Sequence, residues 1–124
     1  MTRKNHNIFI TVNNDGGEDI FTLTRKLIVN FRGTVITVPT GFSSDGASVP
    51  RFFWRTVFPP LQREALRAAI THDYLYRENP FGLTRKEADT MFLILMLWDG
   101  VRPDRAYCAY IGVRLFGRKS WRHT

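Results

Sequence analysis

"LQREALRAAITHDYLYREN", residues 61–79, decides how the rest of the chain is read. Its apolar and small residues recur at helical spacing, Pro60 before it suits a first helical position, and Pro80 stops it. The spacing predicts a helix from about residue 60 to "ENP". Upstream the texture differs. "NIFITV", "DIFTLTRKLIVNF" and "GTVITVPTGF" are alternating segments rich in β-branched and aromatic residues, and the breaks "NNDGG" and "RG" read as hairpin turns. Residues 1–42 are therefore expected to form a small antiparallel β meander. Downstream, Thr84 and Glu87 in "TRKE" match a capping box opening a second helix through "ADTMFLILMLWDG" to Gly100. A third helix runs from Pro103 to a stop at Gly117, with Tyr107, Tyr110, Ile111 and Arg114 at one-face spacing. The fold class is α+β, a β meander followed by three helices. It is read as a single domain over 1–124, with a candidate metal loop and aromatic segment at 43–59 and the three-helix part at 60–117.

A chain of 124 residues with 44% hydrophobic residues has enough apolar surface for one core. There is no apolar run long enough to cross a bilayer, and "MTRKNHNIFITV" lacks the apolar region and cleavage site of a secretory signal. A host cytoplasm or a virion is the expected location. Cys108 is the single cysteine, which excludes an internal disulfide and a cysteine-based zinc cluster. A net charge of +7, with fourteen of the eighteen cations arginine, points to anionic partners such as an anionic lipid or membrane surface, nucleic acid or an acidic protein, among which charge alone does not choose, or else to a solubilising surface. No helix-turn-helix, RNA-recognition or glycine-rich phosphate-loop pattern marks a dedicated nucleic-acid reader.

Within the first helix His72 and Asp73 stand side by side, and the residues three, four and seven before His72 are Ala69, Ala68 and Ala65. That small-residue lane lets another helix approach and narrows the space around the imidazole. On the second helix Asp89 shares a face with Phe92, Leu93 and Met96, so its carboxylate points inward, which is costly unless it is paired. The economical partner is one nitrogen of His72 across two antiparallel helices, leaving the other nitrogen as a general base. In "TGFSSDGASVP", residues 40–50, Asp45 and the carbonyls near Gly46 and Ala47 would join Asp73 in an oxygen-rich set suited to Ca2+. An ion there would polarise a carbonyl under attack by water. The competing reading is a buried polar network that only stabilises the fold.

The chain from about residue 10 onward resembles an uncharacterised family of tailed phages and prophages, through "TGFSSDGASVPRFFW", "THDYLY", "TRKEADTMF" and "VRLFGRKSW". Residues 41–95 resemble, more distantly, the bacterial and fungal branch of the secreted phospholipase A(2) superfamily, through "DGAS" followed by "HDYLY". The second resemblance implies that His72 activates water, Asp73 and Asp45 bind calcium, Asp89 orients His72 and Tyr76 braces the Asp89 carboxylate. The chain departs from that branch in having Ala47 where a loop cysteine is expected, and in its β meander. The expected function is a phage-type, calcium-dependent hydrolase of a lipid or other carboxyl ester. The alternative is a non-enzymatic tail or assembly component that contacts phage structural proteins. "VPRFFWRTVF", with Phe52, Phe53, Trp54 and Phe58 between or beside Arg51 and Arg55, reads either as an interfacial lip or as core aromatics joining strands to helices.

Overall fold

The computed structural model of the chain describes residues 8–15, 18–44 and 65–122. Five strands precede three helices: β1 (Ile10–Asp15), β2 (Glu18–Leu23), β3 (Leu27–Phe31), β4 (Thr34–Val38), β5 (Ser43–Ser44), α1 (Leu66–Arg77), α2 (Arg85–Trp98) and α3 (Pro103–Phe116). A 3-10 turn, Gly117–Ser120, continues α3. The architecture is α+β, as the texture of the sequence predicts.

The strand half is antiparallel and divides into two small sheets. In one, β2 lies between β1 and β5; the other is the β3–β4 hairpin. The chain bends at Thr24 and Arg25, so β3 does not continue the ladder from β2, and the hairpin is inserted before β5 returns. Arg32 and Gly33 form its two-residue turn, with φ of 50° and 82°. Two left-handed residues in succession match the right-handed twist of the strands, and glycine adopts that geometry without a Cβ clash. Period-two alternation sets the inner face: Leu27, Val29 and Phe31 are buried while Ile28 and Asn30 are not. Val29 pairs with Ile36 and Leu27 with Val38, so the inward residues of both strands meet side by side.

β4 and β5 both pack against α1. Phe42 meets Tyr74 edge-on, with ring centroids 5.1 Å apart, and the Arg77 guanidinium donates to the Ser43 carbonyl at 3.0 Å. α1 is buried all round from Arg67 to Tyr76, which makes it the central element. The alanine lane Ala65, Ala68 and Ala69 lies in the core. Residues 60–64, where the helix is expected to begin, lie outside the described residues.

α2 opens with the capping box read from the sequence: Thr84 Oγ1 accepts from the Glu87 N–H at 3.1 Å, and Glu87 Oε1 accepts from the Thr84 N–H at 2.9 Å. Asp99 caps its other end. There a second ion pair, not anticipated from the sequence, ties α2 to α1. Arg67 donates in a fork to Asp99, Nε to Oδ2 at 2.8 Å and Nη2 to Oδ1 at 2.7 Å, with both side chains almost buried. With His72 meeting Asp89 further along, the two contacts fix α1 and α2 as antiparallel.

α3 begins at Pro103 and is capped at Gly117, as the sequence predicts. Its buried residues are Ala106, Ala109, Gly112 and Val113, while Tyr107 and Ile111 of the one-face set are exposed. Gly117 has a φ of −79°, and a 3-10 turn follows directly.

The Arg67–Asp99 fork is expected to matter when half of it is removed. Asp99→Ala leaves a nearly buried guanidinium unpaired and should lower unfolding free energy by about 3 kcal/mol in urea titrations. Arg67→Met combined with Asp99→Leu should recover much of that loss, because a buried pair replaced by apolar groups is close to neutral.

Candidate functional site

The structure brings His72, Tyr76 and Asp89 together. His72 and Tyr76 are four residues apart on α1, hence one turn apart on one face, and Asp89 enters from the first half of α2. His72 Nε2 lies 2.7 Å from Asp89 Oδ1, and the Tyr76 hydroxyl donates to the same oxygen at 2.6 Å. All three side chains have 0% exposure. The imidazole is held between two rings, Tyr76 at 4.3 Å and Phe92 at 4.5 Å between centroids, so its plane as well as its hydrogen bond is set.

Asp89 Oδ2 has partners that the sequence did not disclose. Arg114 Nη1 donates to it at 2.8 Å, and Arg85 Nη1 stands 3.5 Å away. Arg85 also donates to the Tyr76 hydroxyl oxygen at 3.3 Å and to two carbonyls at the end of α3, Val113 O at 3.0 Å and Arg114 O at 3.2 Å. One guanidinium thus holds two carbonyls in the last turn of α3, Val113 O also accepting from the Gly117 N–H, and closes the site from the same side. Arg85 precedes Asp89 by one helical turn, and that spacing was the available signal. Arg114 carried none, because it sits among outward-facing residues.

Gly117 completes the enclosure. A Cβ there would lie 2.8 Å from the Tyr76 hydroxyl, a distance real Cβ atoms do not reach, and a tight 3.2 Å from Tyr76 Cε2. The glycine read as a helix stop is required because the turn presses on Tyr76. Trp121 packs edge-on against the same ring at 5.1 Å, and the Arg122 N–H donates to the Tyr76 carbonyl at 3.2 Å.

Electrostatics follow from this packing. Burial alone would push the Asp89 carboxyl up; the hydrogen bond and charge of His72, with hydrogen bonds from Tyr76 and Arg114, outweigh it and hold the group below the usual carboxylate range. Burial, followed by the hydrogen bond to Asp89 and its charge, drives the Tyr76 phenol far above its ordinary value, with Arg85 acting in the opposite direction. Tyr76 is therefore a neutral donor at any physiological pH. Because ionised Asp89 can only accept, His72 Nε2 carries the hydrogen, and a neutral His72 holds its lone pair on Nδ1.

Asp73 is 2% exposed, and its Oδ2 lies 3.4 Å from Arg77 Nη2 on the next turn. Through Arg77, which also holds Ser43, it is linked to β5, the strand that leads directly into Asp45. Asp45, Gly46 and Ala47 lie outside the described residues, as do Arg51, Phe52, Phe53, Trp54, Arg55 and Phe58. Among the described residues no three His, Cys, Asp or Glu side chains converge as a metal-binding group, and no helix is long and apolar enough to cross a membrane.

Residues 21–113 match a family described as "Protein of unknown function (DUF1353)". The chain belongs to the DUF1353 family. That match includes His72, Asp73, Tyr76, Arg85 and Asp89, and ends one residue before Arg114. The chain is also 32% identical over 80 residues to "Uncharacterized protein y4jT" of Sinorhizobium fredii (strain NBRC 101917 / NGR234), covering 64% of this chain and 23% of that protein. The chain therefore spans less than a quarter of that relative's length. No solved structure matches it.

The depressed Asp89 pKa has a definite sign. A carboxyl whose folded value lies below its unfolded one adds stability above the unfolded value, and that stability is lost as pH falls through the folded value. Wild-type stability should therefore hold from neutrality down to the ordinary carboxylate value and fall below it, as pH drops toward the lower folded value. Asp89→Asn should be less stable at neutral pH and show a shallower acid decline, read from urea midpoints measured across pH. An acid limb as steep in the variant as in wild type would mean that other carboxylates carry it.

Proposed function

We propose that this DUF1353 protein is a hydrolase whose His72–Asp89 pair activates water against a carboxyl ester, most simply a lipid ester. The observation that carries the reading is the shared Asp89 Oδ1, which accepts from Tyr76 and fixes the Nε2–H form of His72. In that form Nδ1 takes a proton from water as the water oxygen bonds to the ester carbonyl carbon and the carbonyl electron pair moves to its oxygen. When the tetrahedral intermediate collapses, the carbon–oxygen ester bond breaks and the departing alkoxide recovers the proton from Nδ1. The acid and alcohol products balance the water consumed.

A calcium requirement belongs to the same proposal. Asp73 supports it by donor type and placement, a nearly buried carboxylate joined through Arg77 to the strand that precedes Asp45. Asp45, Asp73 and the carbonyls of Gly46 and Ala47 would hold the ion, which would supply charge stabilisation for the oxyanion. Arg77 competes for the Asp73 carboxylate, so occupancy would shift that guanidinium. Membership of a tailed-phage or prophage protein set, action in a host cytoplasm or virion, and the phospholipase A(2) likeness of "DGAS" and "HDYLY" complete the reading.

One observation favours a second reading, a non-enzymatic phage tail or assembly component. Asp89 is bound by groups from all three helices, as a purely structural network would require. The two readings part on His72→Gln, because the glutamine amide can still donate to Asp89. The hydrolase reading expects ester turnover to drop by about 10²-fold or more with unfolding free energy changed by less than about 1 kcal/mol. Equal turnover in wild type and variant would remove His72 from the chemistry, and no turnover in either across ester and phospholipid substrates would favour the structural component. Calorimetric calcium titration supplies an independent check, with Asp73→Asn expected to weaken binding at least tenfold relative to wild type.

A further inference from the structure

α3 is built inside out. Its inward face is Ala106, Ala109, Gly112 and Val113, while its large apolar side chains look outward: Tyr107 is 50% exposed, Ile111 52%, Leu115 67% and Phe116 57%. Tyr107, Ile111 and Leu115 follow one another at four-residue spacing and so form a continuous row along the helix. An ordinary surface helix has the reverse arrangement. The small inward face is explained by the close approach that lets Arg114 reach Asp89 and Gly117 reach Tyr76; the outward row is explained by nothing within the described residues.

The charges beside that row identify what it fits. Residues 101–124 hold six cations and the single acid Asp104, five of the chain's seven excess positive charges. Asp104 is already paired with Arg102 at 3.1 Å at the start of the helix. At the other end Arg118 and Lys119, in the 3-10 turn just beyond Leu115, and Arg122 shortly after are all three exposed. Trp121, half-buried, lies between them.

We infer that the outer face of α3 and the turn after it form a docking surface for an anionic lipid bilayer, Tyr107, Ile111, Leu115 and Phe116 entering the headgroup boundary while Arg118, Lys119 and Arg122 meet lipid phosphates. A helix that lies in the plane of a membrane interface combines an apolar row with cations at its margins, and here exposed cations follow directly on the end of the row. A nucleic acid would be attracted by the cations and would find a stacking partner in Tyr107, but the exposed aliphatic Ile111 and Leu115 match neither its phosphates nor its bases as they match a lipid boundary. The inference rests on the lipid-ester reading for its purpose, since it names the surface at which such a substrate would be met. The side chains tested below, Ile111, Leu115, Arg118 and Lys119, are distinct from His72, Tyr76, Arg85, Asp89 and Arg114, although the turn after α3 also packs on Tyr76.

The test is co-sedimentation of the full chain with vesicles of phosphatidylcholine alone or mixed with phosphatidylglycerol. Binding to the mixed vesicles should exceed binding to phosphatidylcholine by about tenfold or more. Leu115→Glu and Ile111→Glu alter exposed positions, so each should melt as wild type does while losing about tenfold in binding. Arg118→Glu with Lys119→Glu should lose at least as much, because two attractive charges become repulsive. His72→Gln should bind as wild type, so a failure of ester hydrolysis and a failure of this surface are told apart. Equal binding to both vesicle types, or Leu115→Glu binding as well as wild type, would overturn the inference. So would a wild-type dimer that Leu115→Glu dissociates in the absence of any vesicle binding, which would assign the face to a second copy of the chain.

Discussion

A carboxylate with no exposure sits where three helices meet, and the helical half of this protein is arranged to make that tolerable. An ionised Asp89 removed from water would cost several kcal/mol if left alone. It is not alone: one oxygen receives the imidazole and the phenol of α1, the other receives Arg114 from α3 and faces Arg85 from its own helix. Each donor needs its element at a particular distance. The small inward face of α3 brings Arg114 within reach, and the alanine lane of α1 permits the dense packing around His72. The site and the packing of the three helices are thus one solution to one electrostatic constraint.

That constraint also explains which parts of the structure could be read in advance. An aspartate on the same helical face as Phe92 and Met96 must be paired, and the nearest chemistry able to pair it was His72; burial physics sufficed for that inference. The capping box at Thr84 and Glu87 and the Arg32–Gly33 turn are local codes, complete within a few residues. Arg114 and Gly117 were not legible in the same way. Nothing in the spacing of Arg114 separates an arginine that bends inward from one that stays in water, and the helix stop at Gly117 does not disclose that Tyr76 lies against it. The split of the strands into two sheets depends on where β5 returns, a long-range pairing with β2 that alternation does not encode.

The family match and the site geometry bear on different questions. Residues 21–113 place the chain in DUF1353 and include the His72–Asp89 pair, Tyr76 and Arg85. The closing elements, Arg114, the Gly117 turn and the Trp121 ring over Tyr76, follow that segment. The dyad therefore lies within the matched residues, and much of its enclosure comes from residues 114–121, just after the match.

The two faces of α3 make its length a fixed quantity. Its first residue is set by a short link from α2 at Gly100–Arg102, and its end is set by Gly117 against Tyr76. One residue inserted between these points would turn everything beyond it by about 100°. Large side chains would then replace the small ones against α2, and Arg114 would swing away from Asp89. Drift in this helix can therefore proceed by exchange of one side chain for another, whereas insertions and deletions are confined to the segments on either side of it.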